Sequence, residues 1–180
     1  YRPIDEAADI TMSRRISREV AVSAVREGTA AAIVLEAVSS AAPFIPSQEG
    51  FAELRRACDD TGTLLILDEM VTGFRCAPGG AAELFGIEPD IACYGKAMAN
   101  GMPLSAIVGP YEYLKRYEED VFFSLTHAGE ALSLAAANET MKWVKNSNVP
   151  KQIGRLGQEI ITLFRAMGAD SRVRYGYPQR

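Results

Sequence analysis

Two residues stand where α/β proteins commonly do their chemistry. Asp68 closes the apolar run Leu64-Leu-Ile-Leu-Asp68, and Lys96 follows the run Ile91-Ala-Cys-Tyr94 after a single glycine. Short apolar runs bounded by turn signals read as strands buried in a sheet, so both residues belong at carboxyl strand ends. The lysine lies in Tyr94-Gly-Lys-Ala-Met-Ala-Asn-Gly-Met-Pro103, among glycine and apolar residues. It is expected to be partly desolvated, which favours the neutral, nucleophilic amine. On local sequence alone, an exposed structural lysine is an equal reading. Its pairing with Asp68 favours chemistry. A loop lysine and a strand-end aspartate are what a pyridoxal phosphate site needs, the lysine as Schiff base and the carboxylate as partner of the pyridine nitrogen.

Other chemistries fit less well. Asp68 and Glu69 could hold a metal ion or cap a helix, but no G-x-x-x-x-G-K-[ST] loop accompanies them. Cys58, Cys76 and Cys93 are 18 and 17 residues apart, and His127 is the only histidine, a poor match to the close four-ligand set of structural zinc. No metal is expected. The thiols read as buried or half-buried in a reduced, cytoplasmic compartment. With 19 Lys+Arg against 23 Asp+Glu, net charge −4 and no basic block, the chain is unsuited to a phosphate backbone. Its longest apolar stretch, Ala30–Leu35, is far below the ~20 residues that span a bilayer.

The elements that must position these residues follow from periodicity. A helix is expected from Ser17 to about Glu27, with Val20, Ala24 and Val25 on its apolar face. Strands are expected at Ala31–Leu35, Leu64–Asp68, Ile91–Tyr94 and Leu104–Gly109, the first two buried on both faces. Helices should run from Phe51 to near Gly62, as a short turn over Ala81–Phe85, and from Glu130 to Lys145. A last helix, Gln152 to about Met167, would bury Ile153, Leu156, Ile160, Leu163 and Phe164. The segment Arg172–Arg180 reads as the start of a strand and turn. Strand–helix alternation with apolar strands implies an α/β domain with a mostly parallel sheet flanked by helices, with chemistry at the strands' carboxyl ends.

The run Leu64-Leu-Ile-Leu-Asp-Glu-Met-Val-Thr-Gly-Phe-Arg75 resembles the signature of class III (subgroup II) aminotransferases, fold-type I pyridoxal phosphate enzymes. The resemblance continues through Gly79-Gly80-Ala81, Phe85-Gly86-Ile87, Pro89-Asp90, Gly95-Lys96 and Gly101-Met102-Pro103 to Gly109, and spans roughly Ala30 to Lys145. The Gly-Phe-Arg version looks most like the glutamate-1-semialdehyde 2,1-aminomutase branch. The resemblance implies that Lys96 is the catalytic residue that binds pyridoxal 5'-phosphate and that Asp68 bonds its pyridine nitrogen. It places Met70 against the ring, where a plain core methionine is the alternative. Val71 stands where many relatives carry a glutamine that contacts the cofactor. Thr126, 30 residues after Lys96, matches the threonine that reaches the phosphate of the neighbouring subunit in a homodimer; a helix-capping threonine is its other reading. Glu130 and His127 fall where the family's usual segment differs, Glu36 matches a family glutamate followed here by Ala37 instead of proline, and Arg75 could bind a carboxylate or pair within its loop.

The implied reaction moves an amino group between a small amine or amino acid donor and a carbonyl acceptor, or within one molecule. A non-catalytic remnant of the fold is the rival reading, and a racemase or decarboxylase on the same fold a weaker one. The chain opens on Tyr1 and reads as a partial sequence. Residues 1–168 are expected to be part of the cofactor-binding large domain, and 169–180 the start of a truncated small domain.

Overall fold

The structure, a computed structural model, describes residues 18–38, 48–121 and 126–167. Four strands form one sheet in the order β1-β2-β3-β4: β1 (Ala32–Leu35), β2 (Leu64–Asp68), β3 (Ile91–Tyr94) and β4 (Ala106–Val108). The first three are parallel, with Ala32 opposite Leu64 and Asp68 opposite Cys93, and β4 runs antiparallel with Ala106 opposite Tyr94. Seven α-helices join them among the described residues: α1 (Arg18–Arg26), α2 (Gln48–Thr61), α3 (Gly80–Phe85), α4 (Tyr111–Leu114), α5 (Arg116–Glu119), α6 (Ala131–Ser147) and α7 (Val149–Ala166).

The main core forms where α1, α2 and α3 meet one face of the sheet. Leu65 and Leu67 are fully buried there with Val22, Val25, Leu54, Ala57, Cys58, Ala81 and Ile87. Burial of a Leu side chain contributes ~1.5–3 kcal/mol, so this face supplies much of the fold's cohesion. Strand residues alternate in direction. Ala32, Val34, Leu64, Ile66 and Asp68 therefore share the opposite face, where Val34 is 64% exposed. This corrects the expectation of burial on both faces: among the described residues, helices cover one face of β1 and β2. The apolar arc of α1 is also displaced from its expected position. Val22 and Val25 are buried while Val20 is exposed, because α2 packs on the Val22 side. On α7 the expected buried stripe, Ile153, Leu156, Ile160, Leu163 and Phe164, is exposed among the described residues. The segment from Arg172 onward lies outside them.

The sheet's amino-terminal edge is tied by polar groups. Asp90 accepts from the Leu65 N–H at 2.7 Å, its own N–H donates to the Leu65 carbonyl, and Arg55 Nη1 meets its Oδ2 at 2.8 Å. Burial disfavours the Arg55 charge, but its bonds to Asp90 and Asp59 outweigh this and raise its pKa.

Candidate active site

The carboxyl edge is built from the same alternation. Asp68, on the open face with Leu64 and Ile66, is half-buried. Its Oδ1 accepts from the Met70 N–H at 2.9 Å, and Oδ2 accepts from no described residue. Glu69 lies one position on and points the other way, into the covered face, where it is 1% exposed. Its carboxylate accepts from the backbone N–H groups of Ala81 (2.9 Å) and Ala82 (2.7 Å) in the first turn of α3, and from the Thr72 hydroxyl. Negative charge at a helix N-terminus is favourable. The two adjacent acids thus diverge and cannot serve as a ligand pair. Glu69, not Asp68, caps the helix.

Lys96 begins a short 3-10 turn, Lys96–Met98, directly after β3. The register that sets Asp68 opposite Cys93 brings it to the same edge as Asp68. Its side chain is exposed, which corrects the expected desolvation: the described residues do not bury it. Lys96 is held at φ 42°, in the left-handed region that costs most L-residues energy. Met70 lies at the base of this turn. A Cβ on Gly95 would come within 2.6 Å of the Met70 sulfur, so thioether and glycine pack face to face. Met70 therefore links the two groups, its N–H on Asp68 and its sulfur beneath the Lys96 turn.

Beside them, Cys93 shares the Asp68 face, and its thiol pKa is raised by burial and then by the Asp68 charge. It stays neutral and uncompetitive. Tyr94, on the Glu69 face, packs its ring on Phe74 at 5.6 Å between centroids and donates its hydroxyl to the Gly79 carbonyl at 3.2 Å.

The remaining candidates are placed more loosely. Thr126 is exposed in the turn before α6 and does not cap it. Glu130 does, accepting from the N–H of Leu132 (2.8 Å) and of Ser133 (2.7 Å) and from the Ser133 hydroxyl at 2.6 Å. The Ser133 hydroxyl, then the two N–H groups, lower its pKa. His127 is exposed. Arg75 donates to the Val71 carbonyl at 2.8 Å and meets no described carboxylate. Glu36 follows β1 at the carboxyl edge, half-buried. Sequence reasoning offered a helix-capping acid at Asp68 or Glu69 without choosing between them, and missed the capping role of Glu130. Period-two alternation through Leu65 and Leu67 could have chosen Glu69.

A family model described as aminotransferase class-III matches residues 3–174. The chain belongs to this family. Among curated class-III relatives, it is 39% identical over 132 residues to the glutamate-1-semialdehyde 2,1-aminomutase of Chlorobium chlorochromatii, covering 72% of this chain and 31% of that one. The Aquifex aeolicus aminomutase is 36% identical over 126 residues, covering 68% and 30%. The chain thus spans about a third of the length of the curated relatives it matches. Among solved structures, the FumI protein of Sphingopyxis sp. MTA144 in its PLP internal aldimine form superposes with a TM-score of 0.75 at 27% identity, covering 83% of this chain and 37% of that one. The Toxoplasma gondii ornithine aminotransferase, at 24% identity and TM-score 0.72 over 83% and 35%, shares the fold. The mixed sheet flanked by helices is therefore that of a class-III aminotransferase, and Lys96 and Asp68 lie at its carboxyl edge.

Proposed function

We propose that the protein carrying this chain uses pyridoxal 5'-phosphate to move an amino group between an amine or amino acid and a carbonyl compound, or within one molecule as in glutamate-1-semialdehyde aminomutases. The observation that carries this reading is the placement of Asp68 and Lys96 at adjacent parallel strand ends. The residues fit the group. One Asp68 oxygen is fixed by the Met70 N–H while the other is unengaged by described residues, which suits a protonated ring nitrogen. The exposed Lys96 amine is available for covalent attachment.

When bound, the cofactor supplies an electron sink for the pair left on the substrate carbon. Asp68 would pair with the ring nitrogen and hold its proton there. Lys96 would hold the cofactor covalently and, with its amine free, would move a proton at the substrate carbon as general acid/base. Met70 braces both groups from below. Thr126 is assigned to the phosphate of the partner's site, which makes the protein a homodimer. The aminomutase relatives favour the intramolecular branch. We assign residues 1–168 to part of the large domain and 169–180 to the start of the small one. Three cysteines outside any disulfide support residence in the cytoplasm.

Borohydride reduction followed by peptide mass mapping tests the proposal in the intact protein. A pyridoxyl group on Lys96 is the expected result. A label on another lysine, or none after incubation with pyridoxal phosphate, overturns it and favours a non-catalytic member of the fold.

A further inference from the structure

We infer that Glu69 is a positioning residue that fixes Lys96 relative to Asp68 through the Tyr94 hydroxyl, an inference that rests on the proposed cofactor site. Glu69 is the largest fully buried acid among the described residues, and the bonds of its carbonyl and carboxylate fall within residues 69–82. Its main-chain N–H donates to the Cys93 carbonyl at 2.9 Å, continuing the β2–β3 ladder one step past Asp68. Its carbonyl accepts from the Gly73 N–H at 2.8 Å. Its carboxylate takes Thr72 and the two N–H groups that open α3. Residues 69–82 are thereby folded into a closed loop with the carboxylate at its centre.

Tyr94 reads that loop at two points. A Cβ on Gly73 would lie 2.6 Å from the Tyr94 ring, so the ring rests on the Gly73 backbone. The hydroxyl reaches the Gly79 carbonyl, next to Gly80, whose Cβ would collide with the Glu69 carboxylate. Tyr94 is the last residue of β3, and Gly95 and Lys96 follow. Moving the loop moves the Tyr94 anchor, and with it the start of the lysine turn. Asp68 sits on the adjacent strand and shares its backbone with Glu69. The buried carboxylate therefore governs the spacing of two groups it does not touch. Consistent with this proximity, burial and then the Glu69 charge raise the Tyr94 pKa.

Glu69→Gln tests this, because a glutamine turns one acceptor oxygen into a donor that faces a backbone N–H. In the cofactor-free protein, amide exchange of the peptide spanning Tyr94–Met98 is expected to accelerate roughly tenfold while peptides of α2 and β1 stay unchanged. In the loaded protein, the visible circular dichroism of the cofactor should fall by about half or more at full occupancy of Lys96, since the signal reports ring geometry. Tyr94→Phe, which keeps the ring and removes the hydroxyl, should reproduce most of both changes, and the double variant should be non-additive. Additive effects, or a merely lower melting temperature with unaltered exchange at Tyr94–Met98 and unaltered dichroism, overturn the inference. If Glu69→Gln does not fold, Tyr94→Phe decides alone: unchanged exchange and dichroism there overturn it. Failure of the wild type to take up cofactor sinks the proposed function instead, and the exchange arm still reads the positioning role.

Discussion

At the amino-terminal edge of the sheet, Asp90 accepts from Leu65 at 2.7 Å and meets Arg55 at 2.8 Å. At the carboxyl edge, Asp68 accepts from Met70 and offers its second oxygen to no described residue. Both acids are half-buried at strand ends, Asp68 closing β2 and Asp90 just before β3. Asp90 Oδ2, however, takes a main-chain N–H and a guanidinium, whereas Asp68 takes one main-chain N–H and meets no described cation. The ion pair locks: Asp90 ties β2 to β3 and to α2. Asp68 has no such cation among the described residues, and a bound cationic donor can fill that place. The same sheet thus stores stability at one edge and reactivity at the other.

Substitutions can separate the edges. The largest effect is expected from Lys96→Ala, which should lower amino transfer by about a thousandfold or more, with the melting temperature nearly unchanged because the side chain is exposed. Turnover with a panel of amine donors, run beside a thermal melt, checks this. Asp68→Asn comes next. Loss of about a hundredfold in rate is expected from removing the charge proposed to pair with the ring nitrogen, again with little change in stability. At the other edge the pattern should invert: Asp90→Asn is expected to cost roughly 2 kcal/mol in urea denaturation and to leave the rate per folded molecule intact. A strong rate defect in Asp90→Asn would break the division between edges.

The smallest effect concerns Glu130 and its pH dependence. Its folded-state pKa is lowered by the Ser133 hydroxyl and the Leu132 and Ser133 N–H groups. The contribution is therefore complete above the ordinary glutamate pKa and fades as pH falls through the lowered folded value. Glu130→Gln should flatten the acid limb of the stability–pH curve while leaving neutral-pH activity in place. An unchanged acid limb would remove Glu130 from the account of α6.

Much of this was legible in the amino-acid order. The four strands announced themselves as apolar runs, and because Asp68 closes one and Lys96 follows another, both could be put on one edge. Less legible was anything decided by packing partners. The face of α1 depended on where α2 lies, which no local period encodes. The short helices α4 and α5, Tyr111–Leu114 and Arg116–Glu119, have no buried residues and hence no apolar stripe to read. Glutamate is not among the favoured N-cap residues, so Glu130 gave no warning of its role. The exposure of Lys96 depends on surroundings that lie beyond its own loop, and a single loop sequence does not report them.

The left-handed backbone of Lys96, at φ 42°, bears on how this position would behave under selection in the laboratory. An L-residue there carries a cost of about 1 kcal/mol that glycine avoids. A library screened only for soluble, folded protein should therefore drift toward glycine or asparagine at position 96. A stability-enriched pool would be depleted of the very residue proposed to do the chemistry, and activity would have to be imposed as a separate criterion from the first round.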